Sequence, residues 1–212
     1  GAEILMDALV KEGVEVVFGY PGGAIIDVFD VMNRPGMPRF ILTRHEQAAG
    51  HMADGYARAT GKAGVCMVTS GPGATNLCTA IATANMDSVP MVAITGQVVS
   101  SAIGNDAFQE VDVVGYTRPI CKHSYLVRSV ADLPRGLKEA FYIATTGRPG
   151  PVVIDLPKDI QRSVLPDYAY PDKISMRSYK PSETGNIRAI ERAAKVIAKS
   201  QRPLFYVGGG AN

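Results

Sequence analysis

The sequence predicts an α/β fold, a mostly parallel sheet flanked by helices on both faces. Short apolar runs that are typical of buried strands alternate with longer segments in which apolar residues recur at helical spacing. Glycine-containing turns follow several of the apolar runs, where a strand gives way to the next segment. Strands that alternate with helices form right-handed βαβ units, in which successive strands lie parallel.

The first half of the chain supplies four predicted strands. A helix is predicted over residues 2–12, and it stops at Gly13, a residue type that commonly caps helix C-termini. The strands are predicted at residues 14–18, 40–42, 65–69 and 91–95, with an apolar segment at 24–32 and helices at 46–57 and 74–84. The strand at 91–95 is expected to end before Gly96 and Gln97.

The second half of the chain contains the predicted domain boundary. Two further strands and a helix are predicted at residues 124–127, 152–156 and 133–145, and residues 97–118 are less regular. Residues 157–185 are rich in Pro, Ser, Tyr and charge and have no clean period, which is typical of a surface linker. A new helix at 187–199 and a strand at 204–207 follow. We therefore expect a first domain over 1–165, a linker over 166–185 and the start of a second domain over 186–212.

Both ends of the sequence suggest a piece of a longer protein. Helical spacing begins at Ala2 with no capping residue before it, so a few upstream residues are expected. The strand at 204–207 and its glycine turn are followed by no helix, and a parallel strand without a crossover partner has nothing to pack against. We expect the natural protein to continue.

Composition excludes several classes of protein. The chain has 212 residues, 46% of them hydrophobic, and a net charge of +2 with scattered positive residues, so no nucleic-acid partner is expected. No apolar run approaches the roughly 20 residues of a membrane helix, so no membrane association is expected. Cys66, Cys78 and Cys121 lack metal-binding spacing and predict free thiols in a reducing cytoplasm.

Glu46 is the candidate catalytic residue. It lies where the predicted strand at 40–42 ends and a helix begins, and this is the sheet edge at which open α/β folds bind ligands. Position alone is weak support, because acidic residues are common in the first turn of a helix, where they complement its dipole.

The remaining polar motifs do not define a chemistry by themselves. The glycine turns at 19–23 and 71–73 allow close approach of a ligand but match neither phosphate-binding pattern. The three histidines have no metal-ligand spacing, so no metal site is predicted. Ser70 lacks a nucleophile elbow, and Lys158 is a candidate for binding an anion or a solvated charge.

Long motifs in this chain carry a resemblance to a known family. Residues 18–24 (FGYPGGA), 44–49 (RHEQAA) and 69–76 (TSGPGATN) resemble the N-terminal domain of thiamine-diphosphate enzymes. Residues 106–110 (DAFQE), 147–152 (GRPGPV) and 157–159 (PKD) narrow the resemblance to the catalytic subunit of acetohydroxyacid synthase, the biosynthetic acetolactate synthase. The similarity extends over nearly the whole chain.

The resemblance implies roles for individual residues. Residues 1–165 would be the pyrimidine-binding domain and 186–212 the start of the central, FAD-associated domain. Glu46 would be the activating glutamate. The implied cofactor-binding residues are Tyr20, Gly22, Gly23, Glu46, Pro72, Asn76 and Gln109, with Arg148 touching FAD. The implied substrate residues are Phe108, Gln109 and Lys158. Val99 departs from the proline or small residue that is common there in the family, which puts inhibitor sensitivity in doubt.

The resemblance also implies an activity, cofactors and partners. The family decarboxylates pyruvate and joins the two-carbon unit to a second 2-ketoacid, pyruvate or 2-ketobutyrate, in branched-chain amino acid biosynthesis; the products are 2-acetolactate and 2-aceto-2-hydroxybutyrate. Its cofactors are thiamine diphosphate, FAD and Mg²⁺, the last bound through a Gly-Asp-Gly…Asn motif on a domain absent from this sequence. A homodimer or tetramer is implied, a regulatory subunit is left open, and this piece alone is expected to be inactive.

Two alternatives compete with that interpretation. One is a different thiamine enzyme, such as a 2-ketoacid decarboxylase, a catabolic acetolactate synthase without FAD or a glyoxylate carboligase. The other is a non-catalytic nucleotide-binding module, which would need Glu46 to be salt-bridged and closed off from any cleft.

Overall fold

The structure is a computed structural model that describes residues 1–211. The chain divides into two compact units, residues 1–176 and residues from 177 onward. That division falls inside the predicted linker, and the domain boundaries stay a prediction. Over the described residues, no helix combines the length and the hydrophobicity that crossing a bilayer requires.

One parallel sheet organises the first unit. Within residues 1–211 it has six strands: β1 (Val16–Tyr20), β2 (Arg39–Leu42), β3 (Gly64–Val68), β4 (Met91–Gln97), β5 (His123–Leu126) and β6 (Pro151–Pro157). Their order across the sheet is β2-β1-β3-β4-β6-β5, and every neighbouring pair is parallel. Every residue of β3, β4 and β6 is buried, as expected for strands covered on both faces.

Helices connect the strands and form the layers around them. They are α1 (Ala2–Lys11), α2 (Ile26–Met32), α3 (Glu46–Thr60), α4 (Pro72–Thr75), α5 (Cys78–Met86), α6 (Val113–Thr117), α7 (Leu133–Thr145), α8 (Lys158–Arg162) and α9 (Ile187–Lys199). Short 3₁₀ turns lie at Ser100–Ala102 and Gly209–Ala211. Of the nine helices within residues 1–211, α9 alone belongs to the second unit.

The helices of the first unit pack in two groups. Helix α1 contacts α2 and α7, and α7 lies on β4 and β6. Helix α3 packs on β1 and β3 and against α5, and a buried core joins this layer to the sheet through Ala53, Leu77 and Ala93. The prediction of a parallel sheet with helices on both faces is confirmed.

Some local predictions were wrong, each for a physical reason. Strand β1 begins two residues later than predicted, and the helix predicted at 74–84 is two helices, because Asn76 caps α4 before α5 begins. Gly96 and Gln97 continue β4 by pairing with β6. Helices α6 and α8 were missed because five residues are too few to show a period. The strand predicted at 204–207 is not formed, because no described strand pairs with it.

Candidate functional site

The carboxyl edge of the sheet gathers most of the predicted site residues. Along the sheet order, this edge carries Glu46 after β2, Tyr20, Gly22 and Gly23 at and after β1, Pro72 and Asn76 after β3, Phe108 and Gln109 after β4, and Lys158 after β6. The chain runs outward in opposite directions from β1, to β2 on one side and to β3 on the other. Such a reversal opens a crevice between the neighbouring loops, where ligands of open α/β sheets bind.

Glu46 is held at this edge by a neighbouring amide. It is the first residue of α3, and its half-buried carboxylate accepts a hydrogen bond at Oε2 from Asn76 Nδ2 over 2.9 Å. Among the described residues, no lysine, arginine or histidine forms an ion pair with Glu46. The carboxylate is therefore oriented without being neutralised.

The start of α3 is fixed by two local interactions. His45 caps the helix, because its Nδ1 accepts a hydrogen bond from the backbone N–H of Gln47 over 3.1 Å. Buried Thr43 places its hydroxyl, which has a single hydrogen to donate, 3.1 Å from both the Gly19 and the His45 carbonyl oxygens. The Thr43 hydroxyl therefore links the residues after β2 to β1 and helps to fix the position of Glu46.

Thr69 joins the two glycine turns, and the sequence analysis missed it. It follows β3 directly, is 8% exposed, and accepts a hydrogen bond at Oγ1 from Ala24 N–H over 3.2 Å. A Cβ at Gly22 would lie 2.5 Å from Thr69 Cβ, so only glycine allows this contact between the turns. In the sequence, the signal that could have indicated Thr69 was its position at the end of a predicted buried strand.

The loop after β4 reaches back to the α4 turn through Gln109. The backbone of Gln109 packs so closely on Gly71 that a Cβ on Gly71 would overlap the Gln109 carbonyl. Gly71 has φ +54° and Gln109 has φ +58°, a conformation that is unusual for a residue with a side chain. The side chains of Gln109 and Phe108 are exposed. Both are therefore available at the same edge as Asn76.

Internal hydrogen bonds hold that loop in shape. The Glu110 carboxylate accepts from the backbone N–H of Gly104, and from that of Ala107 over 2.9 Å, and these bonds lower the pKa of Glu110. At the start of the loop, Ser100 donates from its N–H and its hydroxyl to Asp159 Oδ1, over 2.8 and 3.1 Å. The loop is thus tied to the residues that follow β6.

Lys158 connects the end of β6 to the β1 turn. It is the first residue of α8, and its Nζ donates a hydrogen bond to the Gly23 carbonyl oxygen over 2.7 Å. Gln161, which the sequence analysis also missed, donates from Nε2 to the carbonyl oxygens of Ala24 and Leu156 over 2.7 and 2.9 Å. An ammonium group has three donors, so Lys158 can bind an anion while keeping this contact.

Arg148 is the predicted site residue that the structure leaves apart. It precedes β6, at the amino edge of the sheet, whereas Glu46 lies at the carboxyl edge. Its Nε donates to Ser88 Oγ over 2.7 Å, and Nη2 donates to the Asn85 and Met86 carbonyl oxygens over 3.2 and 3.1 Å. The guanidinium group therefore caps the C-terminal end of α5.

The two edges also differ in shape. A cavity of about 660 Å³ lies at the amino edge, lined by residues that include Glu12, Glu15, Lys62 and Lys138, and no predicted site residue lines it. The carboxyl edge is open and bears exposed apolar side chains at Ile26, Leu42, Met52 and Phe108, the last 87% exposed. An apolar surface around a polar centre is typical of an interaction site.

Comparison with known proteins identifies the class. The family model "Thiamine pyrophosphate enzyme, N-terminal TPP binding domain" matches residues 1–116, more than half of the chain. The chain therefore belongs to the thiamine pyrophosphate enzyme family, and residues 1–116 lie in its TPP binding domain.

Three of the similar proteins are named as large subunits of acetolactate synthase, one of them as a probable one. The chain is 55% identical to acetolactate synthase isozyme 3 large subunit of Escherichia coli strain K12, with 100% of the chain aligned. It is 56% identical to an acetolactate synthase large subunit of Buchnera aphidicola and 53% identical to a probable one of Methanocaldococcus jannaschii, each over 99% of the chain. The chain spans only 36–37% of the length of these relatives.

Proposed function

We propose that this chain supplies the pyrimidine-binding half of the active site of an acetolactate synthase. The enzyme would decarboxylate pyruvate and join the two-carbon unit to pyruvate or 2-ketobutyrate, giving 2-acetolactate or 2-aceto-2-hydroxybutyrate. The observation that carries the proposal is the Glu46 carboxylate, which Asn76 orients at the carboxyl edge and which forms no ion pair within residues 1–211. The 55% identity to an acetolactate synthase large subunit supports the choice of this enzyme within the family.

The residues at this edge fit the aminopyrimidine end of thiamine diphosphate. A Cβ on Gly73 would lie 3.4 Å from Glu46 Oε1, so the bare glycine keeps the space beside that oxygen open. When bound, thiamine diphosphate would supply a nucleophilic thiazolium carbon that adds to the ketoacid carbonyl and a cationic ring that takes up the electron pair released on decarboxylation. Glu46 would hold and return the proton of a pyrimidine ring nitrogen, the general acid–base role of a positioned carboxyl group. Asn76 would keep Oε2 occupied, and Tyr20, Gly22, Gly23 and Pro72 would line the ring.

Substrate binding would involve three residues on the neighbouring loops. Lys158 would attract the carboxylate of a 2-ketoacid with the ammonium donors that its bond to Gly23 leaves available. Gln109 would orient a carbonyl or carboxylate oxygen, and Phe108 would supply apolar contact beside it. The closeness of Gln109 to the Gly71 turn supports placing these residues at one site.

Mg²⁺ and FAD are further parts of the proposal. Within the part of the chain that the structure describes, no three metal-ligating side chains come together, and we propose that Mg²⁺ is bound with the diphosphate by another domain of the protein. FAD would contact Arg148. Because Arg148 already caps α5, that contact would have to use donors other than those bonded to Ser88, Asn85 and Met86.

We propose a homodimer, or a dimer of dimers, in which each active site is shared between subunits. The open carboxyl edge and its exposed apolar side chains support a partner there. The free cysteines agree with a cytoplasmic location, which we include in the proposal.

The test is acetolactate formation from pyruvate by the full-length protein. Replacing Glu46 with Gln should lower turnover roughly 10²–10⁴-fold, the usual effect of losing a general acid–base group. Glu15→Gln is the matched control, because Glu15 pairs with Lys62 at the opposite edge and should leave turnover unchanged. Turnover by Glu46→Gln equal to that of the control would refute the assignment of Glu46, and no acetolactate from the unaltered protein would refute the proposed reaction.

A further inference from the structure

Gln97 is a buried residue that the proposed mechanism does not use. It is the last residue of β4, is 2% exposed, and uses both ends of its carboxamide. Its Oε1 accepts a hydrogen bond from Val98 N–H over 2.8 Å, and its Nε2 donates to the Val111 carbonyl oxygen over 3.0 Å. One side chain therefore joins the two ends of the loop of residues 98–111.

Asp155 anchors the Gln97 side chain to the sheet. Its Oδ2 accepts a hydrogen bond from Gln97 Nε2 over 2.9 Å, and its Oδ1 accepts from Thr95 Oγ1 over 2.7 Å. Asp155 is 2% exposed and lies on β6, which pairs with β4. Because both Asp155 oxygens accept hydrogen bonds, they fix the donor end of the Gln97 amide between Asp155 and Val111 and leave its acceptor end for Val98.

We propose that Gln97 and Asp155 are positioning residues that hold the Phe108–Gln109 loop against the α4 turn for catalysis. This inference rests on the proposed function, because it takes Gln109 and Phe108 to face the substrate. The loop is long, its side chains at 108 and 109 are exposed, and Gln109 contacts Gly71 through its backbone. The position of Gln109 at the site therefore depends on where the loop begins and ends.

The charges around Gln97 make Gln97→Glu an informative variant. Among the described residues, the ionisable groups that interact electrostatically with Asp155 are Asp112, just before α6, and Tyr116 on α6, and neither is a cation. Gln97→Glu keeps the acceptor for Val98 but replaces the donor with an oxygen that faces Asp155 and Val111, both acceptors. Its carboxyl group can restore one hydrogen bond only while a proton is shared with Asp155, and this occurs at low pH.

The experiment measures KM and kcat for pyruvate in the full-length holoenzyme from about pH 6 to pH 8. We expect Gln97→Met to raise KM about tenfold or more at every pH, because both loop hydrogen bonds are lost. We expect Gln97→Glu to approach the unaltered enzyme at pH 6 and to diverge from it toward pH 8. Thr95→Val is the matched control, because it removes a hydrogen bond to the same carboxylate without touching the loop, so its KM should not change.

Hydrogen–deuterium exchange of residues 98–111 gives a readout that does not require activity. Exchange there should be faster in Gln97→Met than in Thr95→Val. A KM for Gln97→Met equal to that of the control, or a pH profile for Gln97→Glu parallel to that of the unaltered enzyme, overturns the inference. If Gln97→Met does not fold, the pH profile of Gln97→Glu decides. If the unaltered protein makes no acetolactate, the proposed function fails and the exchange rates alone decide whether Gln97 holds the loop.

Discussion

The two edges of the sheet differ in how their charged side chains are paired. At the amino edge, Lys62 pairs with Glu15 over 2.6 Å and Lys138 pairs with Glu12 over 2.7 Å. Arg148 binds carbonyl oxygens of the same chain. At the carboxyl edge, Glu46 has an amide for a partner and, among the described residues, no cation. Charges that are neutralised within the chain stabilise the fold, whereas an oriented and unpaired carboxylate remains available to a ligand.

Buried Asp155 extends this contrast into the sheet. Burial raises its pKa to about 7, although the hydrogen bonds from Thr95 and Gln97 favour the ionised form and oppose the shift. No ion pair involves Asp155 among the described residues, unlike the carboxylates of the amino edge. The carboxyl edge thus contains a charge that costs stability, as is common near functional sites.

The largest effect on stability is expected for Asp155→Asn, which removes this uncompensated charge. The folded state binds the Asp155 proton more tightly than the unfolded state, so the free energy of unfolding falls as pH rises from about 4 to about 7. The amide variant does not share that loss, so its stability relative to the unaltered protein should improve by about 2–3 kcal/mol between pH 5 and pH 8. Thermal unfolding of both full-length proteins across this range measures it. A difference that is constant with pH would mean that Asp155 is not the titrating group.

A second experiment compares a glycine from each edge. In Gly71→Ala, the new Cβ meets the Gln109 backbone and the residue keeps φ +54°, so strain of about 1–3 kcal/mol should displace the loop and lower kcat/KM roughly tenfold or more. Gly61→Ala is the control at the amino edge. It has φ +72° with open space around its Cβ, so it should cost about 1 kcal/mol of stability and leave turnover unchanged. Equal activities of the two variants would contradict the close packing of Gln109 on Gly71.

The smallest effect is expected for Lys138→Met at the amino edge. The side chains of Lys138 and Glu12 are 22% and 14% exposed, so removing the cation leaves a partly buried carboxylate that still accepts a hydrogen bond from Tyr170. We expect a loss of about 1 kcal/mol in the free energy of unfolding, with no change in turnover. The double variant with Glu12→Gln should recover part of the loss. A fall in turnover would show that this edge also acts in catalysis.

The sequence predicted the fold class and most of the strands because they depend on local patterns. Runs such as those around Val65 and Met91 are apolar throughout, as strands buried on both faces must be, and α7 was predicted with its observed bounds because its apolar face is strongly periodic. The place of Glu46 between a strand and a helix was predicted for the same reason, since the end of a strand and the start of a helix are both visible in the sequence.

What only the tertiary structure decided is which loops meet. The strand order places the turns of β1 and β3 beside one another, which makes Thr69 a contact of Gly22 across 47 positions of sequence and brings the Asn76 amide to Glu46. Gln97 and Asp155 come together only because β4 pairs with β6, although 58 positions separate them. Local spacing reports the period of each segment, but hydrogen bonds between segments depend on how the sheet orders its strands, and no residue pattern along the chain records that order.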